Sequence, residues 1–230
     1  YSALVYRSLT NSLVGFGGQL HHGDAEIKRV RTNIMFEYNI ATKTYTPIHP
    51  KIQKYMAEPE ARSEHSLTYV PASASSSTPE QLLLCGGYAD PCNGAAAKYS
   101  FLKNIFSYRF ADNLWYRQPD MPHARSGHCA VLVPKTASLY TLYSNRITSS
   151  LSFLDPSNDS TAASSLVNNQ QQQQEDYLLY IFMGSDERFY HNAMYIFDVS
   201  LATWFTVHYK SSLVPPGRNS AGRSEERRVG

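Results

Sequence analysis

The densest group of potential metal ligands in this 230-residue chain is His21-His22-x-Asp24 with Glu26, inside a polar stretch from Gln19 to Thr32 that also carries three basic residues. Imidazole nitrogens and carboxylate oxygens are zinc ligands, but a closed site needs a further spaced ligand, and none follows. The stretch reads as a solvated loop, and no metal is assigned. Gly15-Phe16-Gly17-Gly18 raises a second chemistry, a backbone cradle for phosphate. It lacks the third glycine of the dinucleotide fingerprint and no helix signal follows, so these glycines read as a strand end. Three cysteines, Cys85, Cys92 and Cys129, cannot pair completely. They read as reduced structural thiols, with a disulfide through Cys85 or Cys92 as the alternative. No G-x-S-x-G nucleophile motif is present, and neither a catalytic residue nor a cofactor is assigned.

A third chemistry belongs to arginines at repeated places. Arg62-Ser63-Glu64-His65, Arg125-Ser126-Gly127-His128 and Arg218-Asn219-Ser220 start three successive segments. One reading makes these arginines binding groups, since guanidinium pairs with carboxylate through charge-assisted bidentate hydrogen bonds. The other reading makes Arg62 and Arg125 structural ties to neighbouring backbone or carboxylates. His65 and His128 hold the same repeat position, which points to a repeated structural role rather than to a ligand set.

The elements that must position these residues are themselves repeated. Gln81 to Pro119 contains an apolar run closed by Gly86-Gly87, a loop, and a hairpin carrying Tyr108 and Trp115 with six residues between them. Upstream, Gly17-Gly18 is followed by Tyr38 and Tyr45 at the same gap. Downstream, Met183-Gly184 is followed by Phe197 and Trp204. Two aromatics seven positions apart would face opposite sides of one continuous strand. They share a core only if the chain reverses between them, and Ala41-Thr42-Lys43, Ala111-Asp112-Asn113 and Ser200-Leu201-Ala202 supply the turns. A composite pattern recurring three times is the signature of a repeat architecture.

This pattern resembles the kelch repeat, in which each copy is one four-stranded blade of a β-propeller. Gly86, Gly87, Tyr108 and Trp115 match the family motif fully. Gly17, Gly18, Tyr38 and Phe197, Gly184, Trp204 match it in part, with Tyr45 in place of Trp and Met183 in place of the first Gly. The resemblance implies an all-β, incomplete propeller with blades over about 1–50, 61–119 and 124–210 and another starting at 215. It also implies a protein-interaction module or scaffold that binds a protein or acidic peptide on one loop face. Carried onto matching positions, that face comprises Arg62, Ser63, Arg125, Ser126, Arg218 and Asn219 from the blade connections. Tyr88, Asp90, Asp186 and Arg188 join it from the loops after the second strands. The alternative is the propeller domain of an enzyme similar to galactose oxidase or to a sialic-acid epimerase.

Composition agrees with a sheet protein: 13% of residues are aromatic, only 17% are charged, and 17 are tyrosines. A net charge of +2 gives no footprint for nucleic acid or a membrane surface, and no apolar run reaches the roughly 20 residues of a membrane span. The chain is expected in the cytoplasm. Residues 144–176, rich in Ser and Asn and containing the Gln170 to Gln174 run, cannot bury enough apolar surface to order and read as a disordered insert of eukaryotic character. Arg223 to Gly230, RSEERRVG, resembles a translated sequencing adapter and is set aside from the fold, a native polar tail being the alternative.

Overall fold

The computed structural model describes residues 2–20, 30–52, 57–73, 78–90, 100–135, 176–208 and 215–219. The His21, His22, Asp24 and Glu26 group, Cys92, residues 144–175 of the expected insert and the 223–230 tail lie outside them. The described residues form an all-β, propeller-like fold of antiparallel sheets, two with four strands and one in which a short fifth strand joins the four, together with a two-stranded ribbon.

The first blade consists of β1 (Ala3–Arg7), β2 (Ser12–Phe16), β5 (Met35–Asn39) and β6 (Thr44–Ile48), paired in chain order. Between β2 and β5, a two-stranded ribbon, β3 (Gln19–Leu20) with β4 (Val30–Arg31), narrows the base of the expected loop. In the second blade, β7 (Arg62–Ser63) and β8 (Ser66–Val70) both pair with β9 (Gln81–Ala89), which pairs with β10 (Ser100–Arg109) and through it β11 (Leu114–Gln118). The third blade is β12 (Cys129–Pro134), β13 (Tyr177–Phe182), β14 (Met194–Asp198) and β15 (Thr203–Thr206). Strand β8 packs against both β1 and β12, so the first strands of the three blades stand side by side.

Cross-strand register explains why some runs are apolar throughout and others alternate. Leu82 and Leu84 of β9 join Phe106, Tyr108 and Trp115 against Val14, Phe16 and Met35 of the first blade. The intervening Leu83 and Cys85 join Ile105 against Leu179, Ile181 and Phe197 of the third. A strand covered on both faces loses the period-2 alternation and becomes continuously apolar, which is what the LLLC run of β9 is. In β1, by contrast, Ala3 and Val5 pack against the second blade while Leu4 and Tyr6 stay 53% and 49% exposed. Pairing carries the face of Tyr6 through Leu13 and Tyr38 to Tyr45, itself 57% exposed.

Each hairpin reverses so that its two aromatics stand opposite one another. Tyr38 faces Tyr45, Tyr108 faces Trp115 and Phe197 faces Trp204, with ring centroids 5.3 and 5.0 Å apart in the last two pairs. The turn residue five positions after the first aromatic is left-handed every time: Lys43 (φ 58°), Asn113 (φ 59°) and Ala202 (φ 50°). Trp115 then meets Phe16 of the preceding blade edge-on at 5.4 Å. Trp204 reaches the second blade, donating from Nε1 to the Pro119 carbonyl at 3.1 Å.

Candidate functional site

The Gly pairs do more than end strands. The second residue of each pair donates its amide to the carbonyl of the arginine that starts the next segment. Gly18 donates to Arg62 at 2.8 Å, Gly87 to Arg125 at 2.8 Å and Gly184 to Arg218 at 2.9 Å. All three pairs share one backbone shape, with first residues at φ 62°, 55° and 61° and second residues at 101°, 101° and 88°. Met183 adopts the left-handed conformation that glycine fills in the other two copies. Its departure from the motif therefore leaves the geometry intact.

The repeated histidines wedge into the space these backbones leave. His65 lies between Gly17 of the preceding blade and Gly87 of its own, and His128 lies likewise between Gly86 and Gly184. Both rings are almost fully buried. Burial, with the charge of Arg62 beside it, pushes His65 down to about 3. Burial and Arg125 push His128 down to about 4. Both rings are neutral at pH 7, and His128 Nε2 shares a 2.8 Å hydrogen bond with the Ser66 hydroxyl.

Arg62 and Arg125 have no accessible side-chain surface. Arg62 Nη1 donates to the Gly86 carbonyl at 2.9 Å and to Asn104 Oδ1 at 2.7 Å, while Nε donates to the Glu60 carbonyl at 3.2 Å. Arg125 Nη1 donates to the Met183 and Ala193 carbonyls at 2.7 and 2.9 Å. In repeat terms the first bond is the same, from the arginine at the start of a blade to the carbonyl of the first residue of the Gly pair, while the second goes to the Asn104 side chain of β10 in one blade and to the Ala193 carbonyl just before β14 in the other. Burial draws the Arg62 guanidinium down to about 10, which still leaves it charged at neutral pH. The expectation that Arg62, Ser63, Arg125 and Ser126 present themselves to a partner is therefore corrected. Ser63 and Ser126 are buried as well, each bridged by backbone to the residue after the Gly pair, Tyr88 and Ser185.

The remaining expected residues fall into two groups. Between the first and second blades, Arg31 ion-pairs with Asp90, lies 4.4 Å from the Tyr88 ring centroid and donates from Nε to Ser63 Oγ at 2.9 Å. Tyr88 and Asp90 thus hold two blades together, through a basic residue that sequence reading had placed in a solvated loop. In the third blade, Asp186 caps a tight turn, accepting from the Arg188 and Phe189 amides at 2.7 and 2.8 Å and contacting His191 Nε2 at 3.0 Å. Burial would raise the Asp186 carboxyl, but these hydrogen bonds and His191 outweigh it and hold it below its ordinary range. The His191 ring stacks on His123 at 5.6 Å, and burial followed by the nearby Arg125 charge keeps it below the usual imidazole range.

This turn lifts four consecutive residues into solvent, the first of them Glu187. Arg188 is exposed, and Phe189 and Tyr190 are 65% and 68% exposed. Arg218 and Asn219 are exposed nearby, with the Gly217 backbone packed on that of Tyr190. Phe189 and Tyr190 were missed in the sequence. The available signal was an aromatic pair directly after Ser185-Asp186-Glu187-Arg188, in a loop rather than at strand spacing. Among the described residues, no group of three or more His, Cys, Asp or Glu side chains is placed to hold a metal ion, and no helix is long and apolar enough to cross a membrane. Cys85 and Cys129 are free thiols, and burial pushes Cys85 up to about 12.

No family model and no curated protein matches the chain. Among solved structures it is similar to the one described as "Structure of YjhT", with a TM-score of 0.53 at 13% identity over 95% of this chain. The match covers 54% of that structure, so this chain spans about half of its length, and the likeness is one of fold alone.

Proposed function

We propose that this chain is part of a kelch-type propeller that serves as a protein-interaction module, docking a partner on the loop face around the 186–190 turn. The observation that carries this reading is the exposed pair Phe189 and Tyr190 on a turn fixed by Asp186, with Arg188 and Arg218 beside it. Large aromatic side chains left in water on a rigid turn are the residues that dominate binding when a partner covers them. Arginines flanking them select a carboxylate-bearing partner. The fitting ligand is an acidic peptide segment with at least one large apolar side chain. The kelch assignment is supported by the threefold equivalence of the Gly pairs and of the left-handed hairpin turns, and by the two buried arginine ties of Arg62 and Arg125.

The test is fluorescence polarisation of the full chain with labelled peptides that pair Glu with Leu or Phe, each alongside a counterpart carrying Lys for Glu. Acidic peptides are expected to bind, and Phe189→Ala combined with Arg188→Ala is expected to weaken them at least about tenfold. Equal binding of acidic and basic counterparts, or no loss in the double variant, overturns the reading.

A further inference from the structure

A second recognition feature lies between the second and third blades, toward the opposite ends of β9 and β10 from the exposed turn. A cavity of about 270 Å³ opens there. Its polar wall comes from Gln81 at the start of β9, Arg109 at the end of β10 and Gln118 at the end of β11. Leu83, Phe197 and Val199 supply the apolar wall. Gln81 and Arg109 are direct cross-strand partners, so their positions are fixed by the ladder. Gln118 is held by its Nε2, which donates to Ser107 Oγ at 2.9 Å.

The charge distribution at this cavity is one-sided. No aspartate or glutamate lines it. The Arg109 guanidinium lies 4.1 Å from the Tyr116 ring centroid, and its buried Nε meets no hydrogen-bond acceptor among the described residues. The acidic side chain of the hairpin, Asp112, lies outside the cavity lining; its Oδ2 accepts from Tyr116 Oη at 2.6 Å, and its buried Oδ1 meets no donor among the described residues. On the far rim, Ser200 belongs to a cluster in which Lys135 binds Asp198 at 2.8 Å and Asp176 at 3.3 Å, so both carboxylates are held by one shared cation outside the cavity lining. What remains is a stacked, preoriented guanidinium beside two carboxamides and an apolar wall.

We infer that this cavity is a binding site for a small organic carboxylate with an apolar body. Arg109 supplies the charge-assisted contact, the carboxamides orient the anion, and Leu83, Phe197 and Val199 take the hydrocarbon part. Size sets the class: benzene occupies an engineered cavity of about 150 Å³, so 270 Å³ accommodates one ring with its carboxylate. The inference is independent of the partner-docking face, since it shares no residue with it.

The experiment uses the full chain with benzoate and phenylacetate as probes, against benzamide and phenylacetamide, by saturation-transfer NMR. The carboxylates are expected to bind at least about tenfold more tightly than the amides, a difference of about 1.4 kcal/mol. Arg109→Gln is expected to erase that preference, and Arg109→Lys to keep part of it. In the unmodified protein, intermolecular NOEs from the phenylacetate ring to the Leu83 methyls are expected, a readout that no substitution can confuse. Equal binding of acid and amide, a preference that survives Arg109→Gln, or absence of the Leu83 NOEs overturns the inference.

Discussion

The Gly87 amide donates to the Arg125 carbonyl at 2.8 Å, and the Arg125 guanidinium turns the other way to bind the Met183 carbonyl at 2.7 Å. One residue therefore joins its own blade, through its side chain, to the Gly pair of the preceding blade, through its backbone. Arg62 does the same one unit earlier, from Gly18 to Gly86. The repeat propagates by this relay, and its two ends, glycine and arginine, are the two markers that recur in the sequence.

The glycine end of the relay tolerates no side chain. Gly87 sits at φ 101°, and a Cβ there would lie 2.7 Å from the Ser63 carbonyl and 2.8 Å from His65 Cβ. Backbone strain of about 1–3 kcal/mol adds to an overpacking cost of similar size. Gly87→Ala is expected to lose about 3 kcal/mol or more in urea unfolding. A loss below about 1 kcal/mol shows that the junction relaxes around the methyl group.

The arginine end separates buried from exposed arginines. Arg62→Met or Arg125→Met leaves buried carbonyls without donors, at about 1–3 kcal/mol for each unsatisfied group. Either substitution is expected to lower stability by about 2–4 kcal/mol. Exposed Arg188→Ala is expected to change it by less than about 0.5 kcal/mol. Equal effects of Arg125→Met and Arg188→Ala in denaturant titrations contradict the assignment of Arg125 as a tie.

The wedged histidines make stability fall toward acid. Their pKa values are depressed, to about 3 for His65 and about 4 for His128, from about 6.5 in an unfolded chain. Above the unfolded value both states are neutral and the contribution is fully present. As pH falls below it, the unfolded state takes up protons that the folded state refuses. Stability then drops by up to about 1.4 kcal/mol per pH unit for each ring, until the folded rings protonate near 4 and 3. NMR of the imidazole Cε1–H resonances is expected to show two histidines that do not titrate in the folded protein down to about pH 5. Titration of all histidines near 6.5 excludes the wedge.

Much of the blade was legible because it depends on local chemistry. Glycine at a left-handed position and a six-residue gap between aromatics each impose a backbone shape, and Tyr108 with Trp115 could share a core only by reversing the chain between them. Cross-blade packing left a weaker trace. The LLLC run of β9 is apolar on both faces because a blade stands on each side, yet a run of four apolar residues does not say which neighbour each one meets. Arg31 was unreadable for the same reason: its partners Asp90 and Tyr88 lie 59 and 57 positions away, and in sequence it is one more charge in a polar stretch.

The sequence by itself determined the repeat, the strand-and-hairpin unit and the equivalence of Arg62, Arg125 and Arg218, because each follows from side-chain period, glycine conformation and turn chemistry within about 40 residues. Only the tertiary structure decided which arginines reach solvent. Arg62, Arg125 and Arg188 are chemically identical, and their roles differ by burial alone. The first two enter blade interiors where carbonyls await them, and Arg188 rides a turn into water beside Phe189 and Tyr190. Burial is set by what the neighbouring blade covers, a long-range property that no spacing within one repeat encodes.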